Sequence, residues 1–325
     1  MNPMSALKAY TALELPRIEA CLREKAQALS PYVRATALHV LEAGGKRLRP
    51  MLTLLTARAM GYRTPDIYPL ACSLELLHSA TLLHDDILDG AALRRNRPTA
   101  HTVFGQTHTI LAGDVLLALA NTMVASYGKP ALTACLSEAI LRTCSGEIEE
   151  IAHIRDPELT LDGYLSIITG KTAFLIQAAC QSGAILAGAS PEMERIAAEY
   201  GLHLGIAFQL VDDVLDYTSA SEVAGKTTGG DLREGKLTLP LIFYIESLAP
   251  EAREGFTKAF KHNTLPEGEV EQVLLRVARD GHAATTRAIA ASYIEKARQC
   301  LSRFPDAPET TLLAAALEGM ASRDK

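Results

Sequence analysis

Residues 78–89 read HSATLLHDDILD, and Gly90 follows them directly. Apolar residues recur at every third or fourth position before this segment, so a buried helix is predicted to end at the glycine. Asp85 and Asp89 lie one turn apart on that helix and project from the same side. The helix dipole and the mutual repulsion of the carboxylates both disfavour ionisation there unless cations balance the charge. This helix end is therefore predicted to bind cations.

The same DDxxD pattern recurs in residues 208–216, which read FQLVDDVLD and contain Asp212. Carboxylates in such apolar surroundings persist only when cations or metals pair with them. Their oxygen atoms are hard ligands, for which Mg²⁺ is the natural ion. Because Mg²⁺ takes only one or two carboxylates and completes its shell with water and phosphate, two acidic motifs predict a diphosphate bound between them.

Composition places limits on the fold and on the class of partner. The chain has 325 residues, of which 48% are hydrophobic and 22% are charged, so it can bury a large core. No linker rich in Pro, Gly or Ser divides it, and a single domain over residues 1–325 is predicted. The net charge of -6 argues against a nucleic-acid partner.

The cysteines and the terminus indicate a reducing, cytoplasmic location. The six cysteines show no CxxC spacing and most lie in apolar helical segments, where they read as small core residues. The N-terminus lacks the features of a signal peptide. The longest uncharged run, residues 173–189, is interrupted by polar residues, so a core helix is favoured over a transmembrane segment. We expect a soluble protein.

Hydrophobic periodicity predicts an all-α chain with few strand patterns. Helices are predicted at about residues 5–28, 32–43, 51–60, 66–89, 107–126, 130–153, 160–187, 191–218, 237–247, 251–262, 267–280, 283–303 and 309–322, with ends uncertain by about 2 to 4 residues. Residues 225–235, rich in Gly and Thr, are predicted to form a loop directly after the second acidic motif.

Basic residues lie where phosphate binding would need them. Residues 44–50, GGKRLRP, read as a helix stop, a basic turn and a new helix N-terminus, which is a good anion site. The alternative is an ordinary turn with solvated cations. Arg94 and Arg95 follow the first acidic motif, Lys171 interrupts an apolar helix, and Lys226 and Lys236 flank the loop. Two sets of cations suggest two phosphate-bearing substrates.

Together these segments resemble the successive signatures of the trans-polyprenyl diphosphate synthases. The segments are GGKRLRP (44–50), LLHDDILDGAALRRNRPT (82–99), GKT (170–172), FQLVDDVLDYT (208–218) and GKTTGGDLREGKLTLPLI (225–242). They occur in the family's order, from about residue 40 to residue 242. The resemblance implies an all-α helical bundle around a deep central cavity, the isoprenoid synthase fold, and a homodimer.

The resemblance also implies a role for each site residue. Asp85 and Asp89, with Asp212 opposite them, would hold Mg²⁺, about three ions together with the bound diphosphate. Asp86, Asp213 and Asp216 would support these ligands indirectly. Arg94, Lys171, Lys226 and Lys236 would bind the allylic diphosphate, and Lys46, Arg49, His78 and Arg95 would bind isopentenyl diphosphate. Thr172 and Gln209 would direct oxygen dipoles toward the developing positive charge.

The implied reaction lengthens an allylic diphosphate by one isopentenyl unit. Mg²⁺ and the cations stabilise the departing diphosphate, an allylic carbocation forms in a dry cavity, and the isopentenyl double bond attacks it. Loss of a proton gives the longer (E)-polyprenyl diphosphate. The apolar product implies release close to a membrane, although the chain itself is not predicted to span one.

Two departures from common family patterns bear on activity and product length. Residues 229–231 read Gly-Gly-Asp where relatives commonly carry GDD, so Gly230 removes one carboxylate. Ala80 and Thr81, a turn before Asp85, are smaller than the aromatic residue that short-chain relatives place there as a floor. A product of about C25 or longer is predicted from this helix geometry, with C20 as the alternative.

Three rival hypotheses remain at this point. Class I terpene cyclases share the bundle and the first motif but lack a second diphosphate site. The ExxH patterns Glu75–His78 and Glu150–His153 are like those of di-iron carboxylate oxidases. A catalytically silent subunit of a heteromeric synthase would usually have lost one acidic motif, whereas this chain has both.

Overall fold

Helices form nearly all the regular structure in the computed structural model, which describes residues 2–218 and 228–322. They are α1 (Pro3–Gln27), α2 (Pro31–Glu42), α3 (Leu48–Ala59), α4 (Ile67–Leu88), α5 (Ala100–Phe104), α6 (Gln106–Ala125), α7 (Pro130–Ala152), α8 (Leu161–Ile168), α9 (Phe174–Ala187), α10 (Pro191–Thr218), α11 (Gly230–Glu234), α12 (Leu239–Ser247), α13 (Pro250–Lys261), α14 (Glu267–Arg279), α15 (His282–Leu301) and α16 (Pro308–Ala321). The predicted all-α class is confirmed.

The structure departs from the predicted elements in four places, one of which is the short helix α5, where no helix was predicted. A π-helical turn, Thr169–Ala173, interrupts the helix predicted over residues 160–187. The short helix α11 lies within the segment predicted to be a loop. Two short strands, β1 (Leu93–Arg94) and β2 (Arg97–Pro98), form an antiparallel hairpin directly after the first acidic motif.

The described chain forms two compact units. The first unit comprises Met1–Leu141, Leu175–Gly201 and Gln299–Ala316, and the second comprises Arg142–Phe174, Leu202–Arg298 and Leu317–Lys325. The first acidic motif belongs to the first unit and the second motif to the second unit. The prediction of one domain over residues 1–325 stays a prediction.

In the first unit, α4 forms the centre of the apolar core. It packs chiefly against α6 and α3. Leu70, Leu74 and Leu77 on α4 are each no more than 2% exposed, and burying one such side chain stabilises a fold by about 1.5–3 kcal/mol. This packing fixes the helix whose C-terminal end carries Asp85 and Asp89.

The hairpin after α4 turns through two residues with positive φ. Arg95 and Asn96 have φ values of 52° and 61°, the combination that a two-residue type I′ turn requires. Leu93 pairs with Pro98 and Arg94 with Arg97. The tight turn keeps the cations of this segment close to the end of α4.

In the second unit, α7 and the π-helical turn meet backbone to backbone. A Cβ atom added to Gly146 would lie 2.4 Å from the Lys171 amide nitrogen, and one added to Gly170 would lie 2.7 Å from the Gly146 Cα. Only glycine permits so close an approach. π-helical turns are frequent at functional sites, and this one carries the predicted site residues Lys171 and Thr172.

Candidate active site

The three aspartates of the first acidic motif have different surroundings. Asp85 is half-buried and Asp89, the C-cap of α4, is exposed. Asp86 is 3% exposed, and its Oδ1 accepts a hydrogen bond of 2.6 Å from Arg94 Nε. Burial raises the pKa of Asp86, while Arg94 acts against that rise. Asp86 therefore holds the hairpin, and Asp85 and Asp89 are the accessible carboxylates.

An accessible face of α4 runs away from these carboxylates. His78 and Thr81 lie on it, half-buried, at the helical spacing that aligns them with Asp85. Ala80 lies elsewhere on the helix and is only 1% exposed. Of the two residues predicted to set product length, Thr81 thus shares the face of Asp85 and Ala80 packs in the core.

Arg47 and Arg49, both in the segment GGKRLRP, differ in their hydrogen-bond partners. Arg47 is buried, with Nε 2.8 Å from Glu19 Oε1 and Nη1 2.9 Å from Glu75 Oε1. Its charge is therefore neutralised inside the first unit. Arg49 Nε is buried without a hydrogen-bond partner. An unpaired buried donor on a charged guanidinium is suited to an anionic acceptor.

Positive charge accumulates around His78. Burial lowers the pKa of His78 well below its usual range, and nearby Arg49, Arg94 and Arg95 lower it further. Arg95 is exposed, and its guanidinium lies over Gly45, where an added Cβ would be 3.1 Å from Nη1. Lys46 is exposed on the same turn. The structure thus brings His78 together with three predicted phosphate-binding arginines, an arrangement suited to a phosphate anion.

His84, directly before Asp85, connects α4 to α6. Its Nε2 lies 3.0 Å from the Ile110 carbonyl oxygen. A Cβ atom at Gly113 would come within 2.3 Å of the same nitrogen, so the imidazole fills a space that only glycine leaves open.

The second acidic motif also contains one exposed and one buried aspartate. Asp212 is exposed, whereas Asp213 is 4% exposed. Asp213 Oδ2 accepts a hydrogen bond from Tyr164 Oη, and Oδ1 accepts one of 2.7 Å from Gln209 Nε2. Burial raises the pKa of Asp213 to about 7, against the effect of these two donors. Asp212 is therefore the accessible carboxylate here.

Hydrogen bonds continue from Asp213 to the π-helical turn. Thr172 Oγ1 donates to Gln209 Oε1 over 2.8 Å, while the amide nitrogen of Gln209 donates to Asp213. Because the Thr172 hydroxyl donates its proton to Gln209, its oxygen can act only as an acceptor toward other groups. Thr172 and Gln209 are thus brought together as a polarised pair.

Asp216 supports the short helix α11. Its two carboxylate oxygens accept hydrogen bonds from the backbone amides of Gly230 (3.2 Å) and Asp231 (3.1 Å). A Cβ atom at Gly230 would meet only Asp216 Oδ1, at 3.6 Å. The missing carboxylate at residue 230 therefore does not reflect a lack of space beside the backbone.

Two lysines of the second unit, Lys171 and Lys236, contact glutamates. Lys171 Nζ lies 2.8 Å from Glu147 Oε2 and also contacts Glu150 Oε2. Lys236 Nζ lies 2.8 Å from Glu234 Oε2 and 3.9 Å from Glu150 Oε2. Lys226, predicted to act with them, lies outside the described residues.

The accessible carboxylates suit a hard divalent cation. Asp85 and Asp89 offer oxygen ligands one turn apart. Among residues 2–218 and 228–322, no three His, Cys, Asp or Glu side chains converge on one point. A site that takes one or two carboxylates from the protein and completes its shell with diphosphate needs no such cluster. How the two motifs face each other stays a prediction.

The sequence interpretation did not identify the partners of these residues. Tyr164 lies 49 positions before Asp213, and Glu150 lies 21 positions before Lys171. Glu147 and Glu150 have the three-residue spacing that places both on one helix face. That spacing was the one signal that could have indicated a shared lysine.

Comparison with known proteins gives a consistent result. Residues 30–277 match the family model described as polyprenyl synthetase. Octaprenyl diphosphate synthase of Escherichia coli is 35% identical over 305 residues, which cover 94% of each chain. A decaprenyl diphosphate synthase from Rhodobacter capsulatus superposes with a TM-score of 0.92 at 34% identity, covering 99% of both chains. A polyprenyl synthase from Caulobacter crescentus, complexed with calcium and isoprenyl diphosphate, has a TM-score of 0.93 at 34% identity and covers 99% of this chain and 98% of its own.

Proposed function

This chain belongs to the polyprenyl synthetase family and is a prenyltransferase, and we propose that it adds isopentenyl diphosphate to an allylic diphosphate, giving an (E)-polyprenyl diphosphate longer than geranylgeranyl diphosphate. The family match over residues 30–277 carries this proposal. The small residue Thr81, which shares a face of α4 with Asp85, and the long-chain relatives support the product length.

The two sets of cations would supply two diphosphate sites. The cationic surroundings of His78, with Arg49 and Arg95, support binding of isopentenyl diphosphate in the first unit. Lys171 and Lys236 in the second unit, with Arg94 and Lys226, would bind the allylic diphosphate. Direct contact between cations and phosphate oxygens would hold both substrates without covalent catalysis.

Magnesium is the proposed cofactor. Asp85, Asp89 and Asp212 would hold it, since their carboxylates are the more accessible ones of the two motifs. When bound, Mg²⁺ supplies charge that stabilises the diphosphate as a leaving group. The polyprenyl synthase from Caulobacter crescentus is complexed with calcium and isoprenyl diphosphate, which supports the proposal of a divalent cation.

The Thr172 hydroxyl would stabilise the positive charge that develops on the allylic substrate. Thr172 donates its proton to Gln209, so its oxygen lone pairs would stabilise an allylic cation nearby. This role depends on the bond between Gln209 and Asp213, which holds the amide in one orientation.

The experiment that tests the function is a product assay. Purified protein is incubated with isopentenyl diphosphate, Mg²⁺ and each of dimethylallyl, geranyl, farnesyl and geranylgeranyl diphosphate, and the products are sized by chromatography. We expect elongation to a long-chain product, and loss of turnover on chelation of the metal or in Asp85→Ala. No elongation of any primer would contradict the proposal.

The family match does not support the rival hypotheses. For a di-iron site, Glu75 would have to leave Arg47 Nη1, 2.9 Å away, and Glu150 would have to leave Lys171. A terpene cyclase would leave the cations around His78 without a substrate.

We also propose a homodimer that uses the exposed side of α5 and α6. Val103, Ile110 and Leu111 are 52%, 42% and 58% exposed there, and exposed apolar side chains in a patch indicate an interface. By length and composition α6 could cross a membrane, and 39% of its most apolar window is buried. Its close packing against α4 supports a core helix with one face left for a partner subunit.

A further inference from the structure

One carboxylate in the second unit lies between two lysines. Glu150 Oε2 contacts Lys171 Nζ and lies 3.9 Å from Lys236 Nζ. The side chains of Glu150, Lys171 and Lys236 are 19%, 23% and 15% exposed, respectively. Ion pairs this well shielded from water are stronger than surface pairs.

The fold forces this arrangement. The glycine contact between Gly146 and Gly170 brings α7 against the π-helical turn, so the glutamates one and four residues after Gly146 face Lys171. Burial alone would lower the pKa of Lys171, but Glu150 and Glu147 outweigh it and raise that pKa. Lys171 therefore stays charged, and its charge is already balanced by protein carboxylates.

We propose that Glu150 competes with diphosphate for Lys171 and Lys236. The inference rests on the proposed function, in which these two lysines bind the allylic diphosphate. A diphosphate that reaches them must either displace Glu150 or remain beside a like charge, and either event weakens its binding. Glu150 thus limits the affinity for allylic diphosphate and for the pyrophosphate product, and it returns to the lysines when pyrophosphate leaves.

The test is Glu150→Gln, which removes the charge and keeps the shape. Binding of inorganic pyrophosphate with Mg²⁺ is measured by calorimetry on the full-length enzyme, together with KM for each substrate. We expect pyrophosphate to bind about tenfold more tightly, because about 1.4 kcal/mol of charge repulsion corresponds to that factor. KM for the allylic substrate should fall by a similar factor, and KM for isopentenyl diphosphate should not change.

Glu149→Gln is the matched control. It removes the same charge from the neighbouring position, but Glu149 Oε2 accepts a hydrogen bond from Ser166 Oγ, 3.0 Å away. We expect wild-type binding of pyrophosphate in this variant. Glu150→Asp, which keeps the charge and shortens the side chain, should give an intermediate affinity and serves if Glu150→Gln does not fold.

The proposal is overturned if Glu150→Gln binds pyrophosphate like Glu149→Gln, or more weakly than the wild type. Weaker binding would mean that Glu150 orients the lysines for the phosphate and does not compete with it. Failure of the proposed function would look different, since the wild-type enzyme itself would then elongate no primer.

Discussion

A chain of hydrogen bonds is the clearest feature at the scale of single residues. It runs from Tyr164 through Asp213 and Gln209 to Thr172. Each member fixes the orientation of the next, and the buried carboxylate would be costly if it lost a donor. The tyrosine thus acts on the predicted site residues without being one of them.

Tyr164→Phe should lower kcat by about tenfold and the free energy of unfolding by about 1–3 kcal/mol, since Asp213 loses one of its donors. Steady-state kinetics and thermal unfolding measure the two effects. Tyr217→Phe is the control, because Tyr217 Oη is equally buried but pairs with Thr238 Oγ1 at 2.9 Å. If both variants show the same kcat, Tyr164 has no role in positioning Gln209.

Arg49 leads to a prediction about the binding of isopentenyl diphosphate. Arg49→Gln should raise KM for isopentenyl diphosphate by about tenfold or more, since a hydrogen bond to a charged group contributes about 1.5–3 kcal/mol. KM for the allylic substrate should stay at the wild-type value. Arg97→Gln is the control, because the Arg97 guanidinium is exposed and donates to the Glu42 carbonyl oxygen over 2.9 Å. If both variants change KM for isopentenyl diphosphate equally, Arg49 does not bind its phosphate groups.

The spacing of Asp85 and Asp89 could be predicted from sequence, but the hydrogen-bond partners of the buried aspartates could not. Asp85 and Asp89 are separated by one helical turn, and that local geometry follows from the sequence alone. The bond from Tyr164 to Asp213 joins residues 49 positions apart. No local pattern encodes such a pair, since it depends on how separate helices pack.

At the scale of elements, hydrophobic periodicity predicted nearly every helix of the described chain. Differences occur where tertiary contacts or special backbone conformations decide the structure. The π-helical turn at Thr169–Ala173 accompanies the backbone contact between Gly170 and Gly146. Arg47, at φ 48°, is the N-cap of α3, which begins at Leu48, within the margin given for the predicted start at residue 51. Neither feature has a periodic signal.

The accessible face of α4 leads to a prediction about product length. Thr81→Phe should shorten the product, because the new ring lies on the face of Asp85, where the growing chain would pass. Ala80→Phe should also shorten it but should lower Tm as well, since Ala80 is 1% exposed and a larger side chain overpacks the core. Product sizing with a geranyl diphosphate primer measures the first effect.

Thr81→Ser serves as the control for this pair and should give the wild-type product. An unchanged distribution of products in both phenylalanine variants would mean that the chain grows along a different path. The long-chain prediction would then lose its structural support.

At the scale of the whole molecule, the all-α fold and the family followed from ordered sequence motifs, and both are confirmed. The pairing of the two acidic motifs was predicted as well, and it stays a prediction because it depends on how two compact units are arranged. The proposed dimer belongs to this scale too, since Ile110 and Leu111 need a partner surface to be buried.

Leu111→Glu should convert the proposed dimer to a monomer, because a charge buried in an apolar interface costs several kcal/mol. Light scattering coupled to size-exclusion chromatography measures the mass. Leu275→Glu is the control, since Leu275 is 70% exposed on α14, away from the proposed interface residues in the sequence. A wild-type protein that already elutes as a monomer would refute the dimer.

In the proposed homodimer, the contact between His84 and the Ile110 carbonyl oxygen would link subunit association to catalysis. Ile110 would present its side chain to the partner while its main chain steadies the imidazole beside Asp85. A neighbouring subunit would thus stabilise the position of the metal-binding end of α4 through its contact with Ile110. Dilution below the association threshold should then reduce turnover per active site even though every catalytic side chain is present.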